Sequence, residues 1–144
     1  ADAARLGLTD SSATRRGSAT VTASQSTSSA SPTNLATVGP TVTVDVPANG
    51  MVAIFAQADI VAGVKDGAVN IYETSDRGEI MRATGTATAY TAPGGGTVYK
   101  YNAGMLVFPE SAGSKSYSLI YSAPLGGTVS FANRKLTVIA FSAT

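Results

Sequence analysis

Six of the nine acidic residues, Asp59, Asp66, Glu73, Asp76, Glu79 and Glu110, fall in the body of the chain where a carboxylate pair could form. Two carboxyl groups across a cleft hydrolyse glycosidic bonds, one protonating the leaving group while the other acts as base or nucleophile. Asp66 and Asp76, however, sit in or beside the glycine turns Asp66-Gly67 and Asp76-Arg77-Gly78. The set therefore reads as solvated turn charges. The same acids lack the spacing of an EF-type calcium loop, and Arg77-Gly78-Glu79 reads as a turn rather than an integrin-type ligand. The chain contains no histidine and no cysteine. Their absence removes the commonest general base, the usual zinc ligands, the Ser-His and Cys-His nucleophile pairs, and every disulfide. We expect no catalytic activity, no metal site and no cofactor.

The six tyrosines, Tyr72, Tyr90, Tyr99, Tyr101, Tyr117 and Tyr121, are the richer polar set. Tyrosine stacks on sugars and hydrogen-bonds their hydroxyls, although in a sandwich it more often packs with its hydroxyl at the rim. Tyr90, Tyr99 and Tyr101 flank Pro93-Gly94-Gly95-Gly96, a flexible loop, and are the candidate surface contact. Two basic doublets, Arg15-Arg16 and Arg134-Lys135, read as solvated or paired across a subunit boundary. A net charge of +1, with only 13% charged residues, is no phosphate-binding footprint, so no nucleic-acid partner is expected.

The elements that position these groups follow from alternation and turn residues. A chain of 144 residues is one domain with room for a core. Residues 1–8 suit a short helical turn and 9–17 an exposed connection, so 1–17 reads as an arm or stalk end. Residues 18–25 suit an edge strand, with Ala19, Val21 and Ala23 on one face, and 26–33 read as a loop ending near Pro32. From Thr41, Val42, Val44 and Val46 point one way while Thr41, Thr43 and Asp45 point to water. Pro47 ends that strand and Asn49-Gly50 supplies the next turn. Strands follow at 51–58 and 68–72. The stretch 79–90 is β-compatible but broken at Gly85, and 98–108 is one strand bent at Gly104 or two. Tyr117, Leu119 and Tyr121 alternate with Ser118 and Ile120, and residues 129–131 lead through Asn133 into 136–141. About nine short strands without an amphipathic helix make an antiparallel sandwich.

Two of these strands are apolar on both faces. In the first, Val52, Ile54, Ala56 and Ala58 lie on one side and Met51, Ala53 and Phe55 on the other; in the second, Leu136, Val138 and Ala140 oppose Ile139 and Phe141. A sheet covered on one side alternates apolar with polar, so the second faces need cover as well. Another copy of the chain supplies it, with Met51, Ala53, Phe55, Ile139 and Phe141 at the interface. The longest apolar run, 51–56, is too short to cross a bilayer, so no membrane insertion is expected; residues 1–10 lack the apolar stretch of a secretory signal.

The segment Val46-Pro47-Ala48-Asn49-Gly50-Met51-Val52-Ala53-Ile54-Phe55 resembles the strand-turn-strand of C1q- and TNF-like jelly rolls, and residues 129–139 resemble their closing strand. Arg15-Arg16-Gly17, Asn34-Leu35-Ala36-Thr37-Val38-Gly39-Pro40 and Phe131-Ala132-Asn133-Arg134-Lys135-Leu136 resemble structural proteins of actinobacterial phages and prophages, many assigned to tails. The resemblance implies an all-β jelly-roll sandwich over 18–144, a homotrimer whose central strands face the three-fold axis, and a virion protein made in the host cytoplasm. Its expected partners are itself, other virion proteins and a host cell-surface glycan. Three roles fit: a tail or fibre module with host-surface attachment, a capsid decoration protein, and a bacterial surface or carbohydrate-binding module.

Overall fold

Valine at every second position of Thr41–Val46 gives a strand whose inner side is dry and whose outer side carries Thr41, Thr43 and Asp45. That alternation organises most of the chain. The computed structural model describes residues 15–62, 67–74, 78–84, 88–91 and 97–143, with the side chains of 61–62, 81–84, 88–91 and 97–105 excepted. The expected helical turn at 1–8 and the loop at 93–96 lie outside these residues.

Ten strands occur among the described residues: β1 (Arg16–Val21), β2 (Gln25–Thr27), β3 (Thr41–Val46), β4 (Gly50–Ala62), β5 (Ala68–Glu73), β6 (Gly78–Thr84), β7 (Thr88–Thr91), β8 (Thr97–Glu110), β9 (Gly113–Ser122) and β10 (Val129–Ser142). Sheet I has the order β1-β10-β4-β8-β7, with β2 also on β10, and sheet II the order β3-β9-β5-β6. Every pairing is antiparallel, and the chain passes repeatedly from one sheet to the other. This is the expected all-β jelly-roll sandwich. Its core interleaves Val42, Val44 and Val46 of β3 and Leu119 and Tyr121 of β9 with Val52 and Ile54 of β4 and Leu136 and Val138 of β10.

Several boundaries differ from the sequence reading. The first edge strand starts at Arg16 rather than Ser18, because Arg16 pairs with Ile139. The Ser/Thr-rich stretch 26–33 is not wholly a loop: β2 reaches Thr27, and Thr33 exchanges backbone hydrogen bonds with Tyr121 at 2.8 and 3.0 Å. Polar side chains there hid a backbone that adds to sheet edges. The stretch 97–110 is one strand, and its bend is a bulge. Ile54 opposes Leu106 while Ala56 opposes Ala103, leaving Gly104 and Met105 against Phe55 alone.

A second bulge breaks β10. Ala132 opposes Asp59 and Lys135 opposes Gln57, so Asn133 and Arg134 share the place of one residue. Asn133 takes a left-handed φ of 47°, which asparagine tolerates. The extra residue reverses the alternation, so Phe131 and Leu136, an odd number of positions apart, both face the core. Gly67 closes this end of the sandwich: a Cβ there would stand 2.7 Å from Val129 Cγ1 and 2.9 Å from Phe131 Cζ.

Candidate functional site

The two sheets have unlike outer faces. On sheet II, Thr41 and Thr43 of β3 meet Ser118 and Ser116 of β9, with hydroxyl oxygens 2.9 and 2.6 Å apart. The Thr43–Ser116 pair faces water, while Ser118 is buried with its hydroxyl 3.4 Å from the Pro40 carbonyl. Sheet I is different. Its register sets rows across the outer face: Phe141, Met51 and Pro109; then Arg16, Ile139, Ala53 and Val107; then Ser18, Thr137 and Phe55; then Thr20, Lys135 and Gln57. The first two rows are mainly apolar, and the polar groups gather at the other end.

Phe55, Ile139 and Phe141 are each 38% exposed and Val107 is 40% exposed. Ala53, small and flanked by Ile139 and Val107, is buried at the floor between them. The face is thus a shallow depression with large apolar walls. All five residues assigned to an interface from sequence, Met51, Ala53, Phe55, Ile139 and Phe141, lie on it together. Val107 and Pro109 complete it, and sequence reading missed them because β8 carries no clean alternation. At the polar end, Phe55, Gln57, Lys135 and Thr137 line a cleft of about 240 Å³.

The acids do not form the solvated set expected. Glu73 and Glu110 are buried; each ends a strand with its side chain in the inward phase. Glu110 Oε2 accepts a hydrogen bond from the Tyr117 hydroxyl (3.1 Å), and Oε1 accepts from the Ser111 amide (2.9 Å). Glu73 lies opposite Tyr117 in the ladder. Asp59 accepts from Asn133 Nδ2 at 2.8 Å, and exposed Glu79 accepts from the Tyr72 hydroxyl at 2.9 Å. Asp66 and Asp76 lie outside the described residues. No group of three metal-ligating side chains occurs among the described residues.

The tyrosines divide. Tyr117 and Tyr121 are core residues. The register sets Tyr99 opposite Ile60 and Ala89, Tyr101 opposite Ala58, and Tyr90 opposite Val98; the side chains of these three lie outside the described residues.

Arg134, expected to be solvated or paired across a subunit boundary, is instead fully buried. The β10 bulge turns it inward. Its Nη1 donates to the carbonyls of Thr37 (3.3 Å) and Gly39 (3.2 Å), and Nη2 donates to Gln25 Oε1 at 2.8 Å. The guanidinium carbon stands 5.2 Å from the centre of the Tyr121 ring, whose hydroxyl donates to the same Gly39 carbonyl at 3.0 Å. The signal that exposes the arginine in the sequence is the odd spacing of Phe131 and Leu136 around an asparagine.

Burial holds the Tyr121 phenol well above its usual value, against the opposing pull of the Arg134 charge. The neutral phenol is therefore favoured by the fold. Its contribution to stability is complete below the unfolded value of about 10 and is lost as pH rises toward the folded value. Urea midpoints of the wild type should fall above about pH 10, and Tyr121→Phe should flatten that fall. An unchanged slope in the variant would assign the alkaline loss elsewhere.

No protein-family model matches the chain, and no curated protein matches it. Solved structures to which it is similar include the VP2 subviral particle of infectious bursal disease virus, at 16% identity and a TM-score of 0.43 over 87% of this chain and 32% of that one. The Gx strain of the same virus gives 15% identity and a TM-score of 0.42, over 87% of this chain and 32% of that one. A beta-glucosidase from Paenibacillus barengoltzii gives 15% identity and a TM-score of 0.40, over 85% of this chain and 10% of that one. The chain thus spans a third or less of each of these proteins. A viral-particle protein and a beta-glucosidase both occur among these structures, and the likeness selects no function.

Proposed function

We propose that this chain is a non-enzymatic structural module of a virion, of the tail or fibre type, that assembles as a homotrimer through the outer face of sheet I. The observation that carries the assembly is the contrast between the faces: hydroxyl ladders on sheet II, and Phe55, Val107, Ile139 and Phe141 standing out on sheet I. Apolar groups gathered on one face of a small domain favour association. The occupant is further copies of the same chain, because the apolar rows carry no charge beyond Arg16 at their margin and the depression at Ala53 accepts a large side chain. The virion setting rests on the resemblance of the segments at 15–17, 34–40 and 131–136 to phage structural proteins. Partners beyond itself are other virion proteins. Host-surface attachment through the loop at 93–96, with Tyr90, Tyr99 and Tyr101 at its base, is part of the same proposal. Its basis is the sequence.

The non-catalytic reading is supported by Glu110, whose two oxygens are both engaged inside the sandwich. Multi-angle light scattering at micromolar concentration tests the assembly. The expected mass is that of three chains, and a stable monomer would sink the proposal. A trimer that coats capsids and fails to bind host envelopes would move it to the decoration role. Turnover of a polysaccharide that disappears in Glu73→Gln or Glu110→Gln would make it an enzyme.

A further inference from the structure

We infer that the polar end of the sheet I face is a site for a small oxyanion, completed only when copies of the chain meet. The inference rests on the trimer reading above. The cleft of about 240 Å³ is lined by Phe55, Gln57, Lys135 and Thr137. Three of these can donate hydrogen bonds: the ammonium of Lys135, the amide of Gln57 and the hydroxyl of Thr137. Among the described residues, Lys135 has no acidic partner and the Gln57 side-chain amide has no hydrogen bond. Thr137 shares its hydroxyl with Ser18, 3.0 Å away. Asp59, the acid at this end of the face, is occupied by Asn133 at 2.8 Å.

Symmetry sharpens the point. In a trimer whose sheet I strands run along the three-fold axis, each row of the face lies at one height and meets its own copies. The rows of Met51 and Ala53 then stack dry. The row of Lys135 and Gln57 brings like charges to one level beside the apolar wall of Phe55, where water screens them less than at an open surface. A bound oxyanion offsets that charge and takes the spare donors, which a single protomer offers only from one side. An anion with several acceptor oxygens, such as phosphate or sulfate, matches the donor set better than chloride.

The test compares the intact protein in chloride and in inorganic phosphate at equal ionic strength, by sedimentation velocity, thermal denaturation and titration calorimetry, with Lys135→Met alongside. Phosphate also strengthens burial generally, and the variant subtracts that effect. The expected result is a saturable rise in the wild-type midpoint with one phosphate bound per three chains, and a Lys135→Met trimer that loses the saturable part. An equal response in Lys135→Met, or one phosphate per chain, overturns the shared site. A wild-type trimer indifferent to phosphate, destabilised alike by Lys135→Met and Asp59→Asn, also overturns it, because Lys135 then pairs with a neighbour's carboxylate. A wild-type monomer overturns the trimer itself and the inference with it.

Discussion

Phe55→Asp is expected to convert the trimer to a folded monomer at micromolar concentration. Complete burial of a phenylalanine side chain is worth roughly 1.5–3 kcal/mol. Phe55 is 38% exposed in the single chain, so assembly gains a part of this, on the order of 1 kcal/mol per copy. Lost at three positions, that alone lowers the association constant by about 100-fold. The introduced carboxylate adds its own cost of leaving water, which Lys135 in the same cleft offsets only in part. In the separated chain the same carboxylate stays hydrated, so far-UV circular dichroism should keep its strand signature. Ile139→Asp, one row away on β10, should behave alike. Thr43→Asp on the hydroxylated face of sheet II should leave the mass unchanged. Retention of the wild-type mass by both Phe55→Asp and Ile139→Asp would show that this face is not the interface.

The two-faced strands were visible in the sequence because a period of two holds wherever the ladder is regular. Val52, Ile54 and Ala56 face the core and Met51 and Phe55 do not, as alternation alone requires. The parity of Ile139 and Phe141 was likewise legible, since the strand runs unbroken from Lys135 to Ser142. What alternation cannot carry is phase across a bulge. The break at Asn133 and Arg134 reversed the faces upstream, and a cation that belongs to the interior was read as surface charge.

Strand ends were a second blind spot. Glu73 and Glu110 are polar and close to turns, which favours exposure by composition, yet each has inward parity and a tyrosine from β9 beside it. Glu110 is satisfied there by the Ser111 amide and the Tyr117 hydroxyl, and only the turn from β8 into β9 brings that hydroxyl to it. Val107 and Pro109 on the assembly face escaped for a related reason. The bulge at Gly104 divides β8, so no single period describes it.

Arg134→Ala is expected to be among the most destabilising substitutions in the molecule, at roughly 3–5 kcal/mol by urea denaturation. Domains of this kind are stable by only about 5–15 kcal/mol in total. The guanidinium ties three separate points of the chain between β1 and β3, namely Gln25, Thr37 and Gly39, to the bulge of β10. Its removal deletes three charge-assisted hydrogen bonds, each worth about 1.5–3 kcal/mol at most, leaves the Gly39 carbonyl to the Tyr121 hydroxyl and Gln25 Oε1 to the Thr37 amide, and opens a cavity beside Tyr121. The loss should appear without any change in the sheet I face, so whatever folds should still form trimers. Arg134→Lys separates geometry from charge: an ammonium keeps the cation but cannot address Thr37, Gly39 and Gln25 from one planar fork, and should recover only a minor part of the loss. If Arg134→Ala proves too unstable to purify, the midpoint of Arg134→Lys carries the measurement. A wild-type midpoint for Arg134→Lys would mean that the positive charge alone, rather than the three-point fork, holds the segment of residues 25–39 on the sandwich.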